Sequence, residues 1–410
     1  MTQVDRLPTV PAPSPTQPDR APANPRVLRV MTRLHVGAPA RRALFLTQQL
    51  PRRGFDSRLV WGASAPGEAS LDPPARLPAT SLLHLKPGWS PSSDLRSLRA
   101  IEGLIARWRP RIVHTHLAKA GAIGRLAASR RRVPVLVHTF HGHVLDAFAG
   151  PLATRALIEM ETRLAARTDA LVAETPEDRD DLLALGIGRY DQWHVVAEGV
   201  ELDHLTGPQP DPAAARAALG LPADGPIVGW VGGLVPIKDH EVLLQAGARL
   251  LRERPDVTFV LSGDGELRER FRARAAELMG DRCVFLGWID DLPELYAAMD
   301  VMALTSRLEG LPVSLIEAAA AGKPVVVTRY GAVREVVRDG ETGLLVAPND
   351  PVALAASLHT LLDDPEGARR MGQEGADWVA GRFSAARQAD QLADLYRELL
   401  DRAKARAARP

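Results

Sequence analysis

Glu309-Gly310-Leu311-Pro312-Val313-Ser314-Leu315-Ile316-Glu317 sets two carboxylates eight positions apart, the first in a Gly-Pro turn and the second inside an apolar run. Pro312 suits the first turn of a helix, where its missing N–H costs nothing. Residues 314–321 read as that helix and Gly322 as its C-terminal stop. The backbone N–H groups of Leu311, Val313 and Ser314 then stand unpaired at a positive helix end, which attracts phosphate. Glu317, one turn further in, is placed to accept two hydrogen bonds from a ribose diol, and Glu309 to hold sugar hydroxyls. An ordinary helix start with two solvated acids has the same spacing. The flanks carry the reading further. Asp300-Val301-Met302-Ala303-Leu304 is a buried-strand pattern entering the turn, and Pro324-Val325-Val326-Val327-Thr328 is another leaving the helix. Strand, turn, helix, strand puts the carboxylates at the carboxyl edge of a parallel sheet, where open α/β sheets bind ligands.

With these flanks the chain resembles the retaining glycosyltransferases of family 4, whose signature is Glu-x7-Glu in this setting. The similarity extends through Val231-Gly232-Gly233-Leu234-Val235-Pro236-Ile237-Lys238, Leu261-Ser262-Gly263-Asp264-Gly265-Glu266-Leu267, Phe285-Leu286-Gly287-Trp288 and Asp339-Gly340-Glu341-Thr342-Gly343-Leu344-Leu345-Val346. The resemblance implies an α/β protein of GT-B architecture, with two Rossmann-like doubly wound domains facing a cleft. It implies transfer of a sugar from a nucleoside diphosphate, with UDP favoured, to a glycan, lipid-linked or small-molecule acceptor, as in cell-surface polysaccharide or glycoconjugate synthesis. It also implies retained anomeric configuration, no metal and no further cofactor, and a last helix that crosses back onto the first domain.

Residue by residue, the resemblance assigns catalytic roles to His141, Lys238 and Glu309. It assigns the donor to Gly37, Gly233, Gly310, Leu311, Pro312, Val313, Ser314 and Glu317. Lys238 matches a lysine that neutralises pyrophosphate as the sugar–phosphate bond breaks. The family pairs it with an arginine five residues earlier, where this chain has Gly233. Arg307 and Lys119 are candidate substitutes for that cation. His141, in Thr139-Phe140-His141-Gly142-His143, matches a position that hydrogen-bonds the transferred sugar. Gly37-Ala38 stands in the first glycine loop where two glycines are usual, Thr328-Arg329-Tyr330-Gly331-Ala332 also lacks one, and Glu198 stands where relatives carry Asn.

Alternating apolar runs and amphipathic stretches support two α/β halves. Strands are expected at 27–31, 57–61, 111–115, 133–139, 169–173 and 193–197, and again near 226–231, 257–262, 282–287, 299–304, 324–328 and 343–347. The expected organisation is a Pro-rich disordered tail over 1–25 and an acceptor-side domain over 26–205. A linker over 206–225, a nucleotide-sugar domain over 226–384 and a closing helix over 385–410 follow. His114, His116, His138, His141 and His143 gather at strand ends. They read either as buried structural histidines or as a metal site, although no cysteine or acid joins them at ligand spacing. No carboxylate of the first half stands out as a nucleophile, which favours same-face attack.

Composition is that of a soluble globular protein, with 46% hydrophobic and 25% charged residues in 410. A single cysteine, Cys283, forms no internal disulfide and suggests the cytoplasm. No apolar run is long enough to span a bilayer. The net charge of +1 hides an asymmetry: residues 26–168 hold 23 Lys and Arg against 8 Asp and Glu, and residues 169–410 hold 26 against 40. A basic first half suits peripheral contact with the anionic inner face of a membrane, or a phosphate-bearing acceptor. Aromatics at 5% that do not interleave with the basic clusters argue against nucleic acid. Two other classes stay open: a non-catalytic sugar-nucleotide-binding protein of this fold, and an NAD-dependent oxidoreductase. The second needs Gly-x-Gly-x-x-Gly after the first strand, which residues 35–42 do not supply.

Overall fold

Runs of β-branched residues buried on both faces favour parallel strands, and the chain builds two sheets of them. The computed structural model describes residues 24–34, 38–64, 71–141, 150–307 and 311–408; Gly37, His143, Glu309 and Gly310 lie outside these. The first sheet holds β1 (Arg26–Met31), β2 (Asp56–Gly62), β3 (Ala79–Leu82), β4 (Ile112–His116), β5 (Val135–Thr139), β6 (Ala170–Ala173) and β7 (Trp193–Val195). Its order is β3-β2-β1-β4-β5-β6-β7, with every pairing parallel. The second holds β8 (Ile227–Val231), β9 (Thr258–Ser262), β10 (Cys283–Gly287), β11 (Val301–Leu304), β12 (Val325–Thr328) and β13 (Leu344–Val346). Its order is β10-β9-β8-β11-β12-β13, again all parallel. Each order reverses once, between β1 and β4 and between β8 and β11. In doubly wound sheets that reversal opens a crevice beyond the carboxyl ends of the two strands.

Alternation along β1 sends Val27 to one face and Leu28 and Val30 to the other. Val27 packs with Val135, Val137 and the Leu392, Tyr396 and Leu399 side chains of the helix Ala385–Ala407. Leu28 and Val30 pack with Ile101, Val113 and Ile123. The last helix thus covers one face of the first sheet, tied at its rim by Arg53 to Asp390 at 2.7 Å and Arg406 to Asp169 at 2.8 Å. The second sheet has its own core, in which Val228, Trp230, Leu304, Leu315 and Val326 are buried together.

Three local expectations need correction. Residues 206–225 are more than a linker: they contain the helix Pro212–Ala218, started by Pro212 and capped by the Asp211 carboxylate, which accepts from the Ala214 N–H. β3 has no counterpart among the expected strands, since Ala79-Thr80-Ser81-Leu82 is a half-exposed edge strand with no apolar run. Pro312 is the N-cap of the helix Val313–Ala320 rather than part of its first turn, while Gly322, at φ 71, takes the left-handed conformation beyond its end.

Candidate functional site

The loops that leave β8 and β11 carry the second-half residues, and they are stitched together. The Thr305 hydroxyl donates to the Lys238 carbonyl at 2.9 Å, and the Arg307 N–H donates to the Ile237 carbonyl at 2.9 Å. Arg307 also grips the buried Asp239 with two bonds, at 2.6 and 3.0 Å. Both loops therefore hold one geometry at the switch point. Gly263, at φ 141, sits where a Cβ would collide with the Gly232 carbonyl oxygen, which makes the Ser262–Gly265 turn a spacer beneath the β8 loop. Gly233 is different. A Cβ there would find nothing closer than 3.9 Å, so the position has room for a side chain.

The helix Val313–Ala320 follows β11 in the chain. The Pro312 carbonyl accepts from Leu315 and Ile316, so the Leu311, Val313 and Ser314 amides precede the first intrahelical bond. Glu317 points into a buried position where the Tyr296 hydroxyl lies 3.0 Å from its Oε2 and 3.1 Å from the Ser314 carbonyl. Burial pushes the Glu317 carboxyl up to about 7, against the Tyr296 hydrogen bond and the charge of Arg41, which belongs to the helix Ala38–Gln49 of the other half. The two halves also approach at Gly331, where a Cβ would stand 3.3 Å from Glu177 Oε2.

In the first half, the carboxyl ends of β4, β5 and β6 bring together groups far apart in sequence. His141 Nδ1 lies 2.8 Å from Glu174 Oε1, and its Nε2 lies 3.2 Å from His116 Nδ1. His116 Nε2 meets Arg29 Nη2 at 3.1 Å, and the His116 ring stacks on His114 with centroids 4.3 Å apart. His114 is held by Tyr396 at 2.5 Å and Thr139 at 2.7 Å. Arg42 binds both Glu174 and Glu198, and all three side chains are buried. Burial raises the Glu174 carboxyl, but Arg42 and His141 outweigh it and hold the group down at about 2. Burial drives His114, His116 and His138 well below the ordinary histidine range and lowers His141 too, so these rings are neutral.

Several sequence expectations change here. Glu174 and Glu198 are carboxylates of the first half that lie at the His141 cluster, but Arg42 clamps both, which does not conflict with the expectation that none stands out as a nucleophile. Glu198 is marked in sequence only as a departure from the Asn of relatives, and nothing local marks Glu174, whose partner Arg42 is 132 residues away. Lys119 is unsuited to replace the missing cation, because it is buried and paired with Asp94 at 2.7 Å and the Gly88 carbonyl. Arg307 is committed to Asp239, whose charge it matches, while its side chain stays 61% exposed. The ring nitrogens of His114, His116 and His141 are engaged with protein groups, and no cluster of three or more metal-ligating side chains occurs among the described residues.

Two parallel sheets, with a lysine loop and an acid-bearing helix following the switch-point strands of the second, are the arrangement expected of the GT-B class. The family described as Glycosyl transferase 4-like domain matches residues 37–199, and that described as Glycosyl transferases group 1 matches residues 212–378. The chain is 36% identical over 312 residues to the D-inositol 3-phosphate glycosyltransferase of Xylanimonas cellulosilytica, spanning 72% of this chain and 73% of that one. It is 27% identical over 355 residues to an Escherichia coli UDP-Gal:alpha-D-GlcNAc-diphosphoundecaprenol alpha-1,3-galactosyltransferase, spanning 86% and 91%. Sucrose-phosphate synthase of Thermosynechococcus elongatus superposes with a TM-score of 0.78 at 25% identity, covering 92% of this chain and 99% of that one. Anabaena HepE in complex with UDP-glucose superposes at 0.76 and 22% identity, over 92% and 100%. The chain is a glycosyltransferase and a member of this group 1 and 4-like GT-B family.

Proposed function

We propose that this enzyme moves a hexosyl or N-acetylhexosaminyl group from a UDP-sugar to a phosphate-bearing or lipid-linked acceptor, with retention, on the cytoplasmic side of the membrane. The observation that carries the donor half is the hydrogen bonding of the Lys238 loop to Thr305 and Arg307, the residues that leave β11 at the β8–β11 switch point. In this reading the Leu311, Val313 and Ser314 amides and Lys238 receive the diphosphate, Glu317 the ribose, and Glu309 the sugar hydroxyls. Lys238 then neutralises charge that develops on the leaving phosphate, an electrostatic contribution that no proton transfer limits. Gly37, Gly233 and Gly310 let the backbone approach the donor. His141 takes a hydrogen bond from the transferred sugar.

The acceptor class rests on the basic first half and on relatives whose names specify an inositol phosphate or a diphosphoundecaprenol-linked sugar. Same-face attack is favoured because Glu174 is clamped by Arg42 and His141, which quenches it as a nucleophile. No divalent ion is needed, since a lysine and a helix start supply the positive charge. UDP should raise the melting temperature, whereas GDP, ADP and NAD should not, because only a ligand of the native state stabilises it. With a working UDP-sugar, Lys238→Ala should slow transfer by on the order of a hundredfold, more than it alters binding of the bare nucleoside, because it acts on the diphosphate charge. EDTA should leave the rate unchanged. A shift with NAD alone, or normal turnover by Lys238→Ala, overturns the assignment of the donor site.

A further inference from the structure

The hydrogen-bonded line Arg29–His116–His141–Glu174 admits one arrangement of protons. A guanidinium only donates, so His116 Nε2, 3.1 Å from Arg29 Nη2, must be the bare, accepting nitrogen. The neutral His116 ring then carries its proton on Nδ1 and donates to His141 Nε2 at 3.2 Å. His141 in turn carries its proton on Nδ1, which donates to the Glu174 carboxylate at 2.8 Å. Starting from Glu174, an ionised acceptor, gives the same assignment in reverse. Arg42 Nη1 also lies 3.1 Å from His141 Nδ1, but both are donors there and both converge on Glu174 Oε1.

We infer that Arg29 is a positioning residue that, through His116, holds His141 as a neutral ring whose Nε2 accepts and never donates. This rests on the reading of His141 as a sugar contact. Its consequence is chemical: His141 can receive a hydrogen bond from a sugar hydroxyl that displaces His116, and it cannot serve as a general acid. Protonating His141 at Nε2 would set that N–H against the His116 N–H. The other charged and titratable groups around the line are Arg42 with its partner Glu198, His114, His138 and Tyr396. Only Glu174 favours an imidazolium at His141, so the outcome turns on the donor at His116. Arg29 is fully buried, and its Nη1 is fixed by the Ala43 carbonyl at 2.7 Å and Thr47 at 3.2 Å. The helix Ala38–Gln49 therefore holds both ends of the line, Arg29 at one and Glu174 through Arg42 at the other.

Nitrogen-15 NMR of the histidine rings in the whole protein tests this without any need for turnover. Wild-type His116 and His141 should each show a protonated Nδ1 and a bare Nε2 near neutral pH. Arg29→Gln can turn its amide oxygen to His116, so His116 should move its proton to Nε2 and His141 should become doubly protonated. Transfer should fall about tenfold to a hundredfold by loss of oriented contact, with the UDP-induced thermal shift retained. Arg29→Lys, still a donor only, should keep the wild-type pattern. A wild-type His141 that carries a proton on Nε2 overturns the inference even if no variant folds. So does a folded Arg29→Gln protein with unchanged ring signals, a folded Arg29→Lys protein that behaves like it, or altered rings with undiminished transfer. Failure of the donor-site reading would appear separately, as a wild type with no UDP response.

Discussion

Glu317 shows what the sequence reveals at the scale of one residue and what it withholds. Its place on the helix Val313–Ala320 follows from spacing, but its protonation depends on burial and on Tyr296, 21 residues away. The folded carboxyl titrates near 7 against an ordinary 4.5. For a raised acid, the unfolded chain loses its proton first, so stability falls as pH rises from about 4.5 to about 7 and stays lower above. The shift corresponds to about 3 kcal/mol. A ribose diol needs the ionised form, so UDP affinity should rise about tenfold between pH 6 and 8. Calorimetry on Glu317→Gln separates this from titration of the nucleotide itself: an equal pH dependence in wild type and variant removes Glu317 from the site. Gly233 supplies the complementary gain. Its open surroundings admit an arginine. Gly233→Arg should tighten UDP binding by about 1.5–3 kcal/mol, the range of a charge-assisted hydrogen bond. Unaltered affinity in a folded Gly233→Arg protein would mean that Arg307 already supplies the second cation.

At the scale of elements, legibility follows burial. Strands buried on both faces, such as Val325–Thr328, announce themselves as apolar runs, whereas the half-exposed edge strand Ala79–Leu82 does not. The Glu317 half of the site is one contiguous stretch and could be read directly. The Arg29, Arg42, Glu174 and Glu198 half is assembled by strand order, and only the fold brings those positions together. Arg125 and Glu161 belong to the same unreadable kind. They form a buried pair at 2.5 Å that joins the helices Ala118–Arg130 and Pro151–Ala165. Removing one partner leaves an uncompensated buried charge, so Arg125→Met alone should cost about 3–5 kcal/mol in urea unfolding. Adding Glu161→Leu should recover most of that loss, because the two charges are desolvated for each other's sake. Additive losses in the double variant would show that Arg125 acts mainly through the Gly121 carbonyl, which it also binds at 2.9 Å.

At the scale of the whole molecule, the fold redistributes the charge surplus of the first half. Arg29, Arg42, Lys119 and Arg125 are buried, and Arg53 is tied to Asp390, so these contribute little to an outward field. What stays exposed is concentrated. Arg107, Arg109 and Arg111 precede β4, and Arg130, Arg131 and Arg132 precede β5. β4 and β5 are neighbours, so both clusters lie at the amino edge of the first sheet, opposite the edge that carries His141. Glu102 offsets part of the second cluster, 3.6 Å from Arg130 and 3.9 Å from Arg131. A basic edge of this size should bring the protein to anionic vesicles weakly and reversibly, at about 1 kcal/mol for each arginine near the surface. Added salt should release it as the Debye length shrinks to about 8 Å. Changing Arg130, Arg131 and Arg132 together to Gln should reduce co-sedimentation with anionic vesicles at low salt. Transfer to a soluble acceptor should be unaffected, because the cluster and the site occupy opposite edges. If wild-type protein stays in the supernatant with anionic and neutral vesicles alike, the basic edge is a solvated surface and the acceptor is reached in solution.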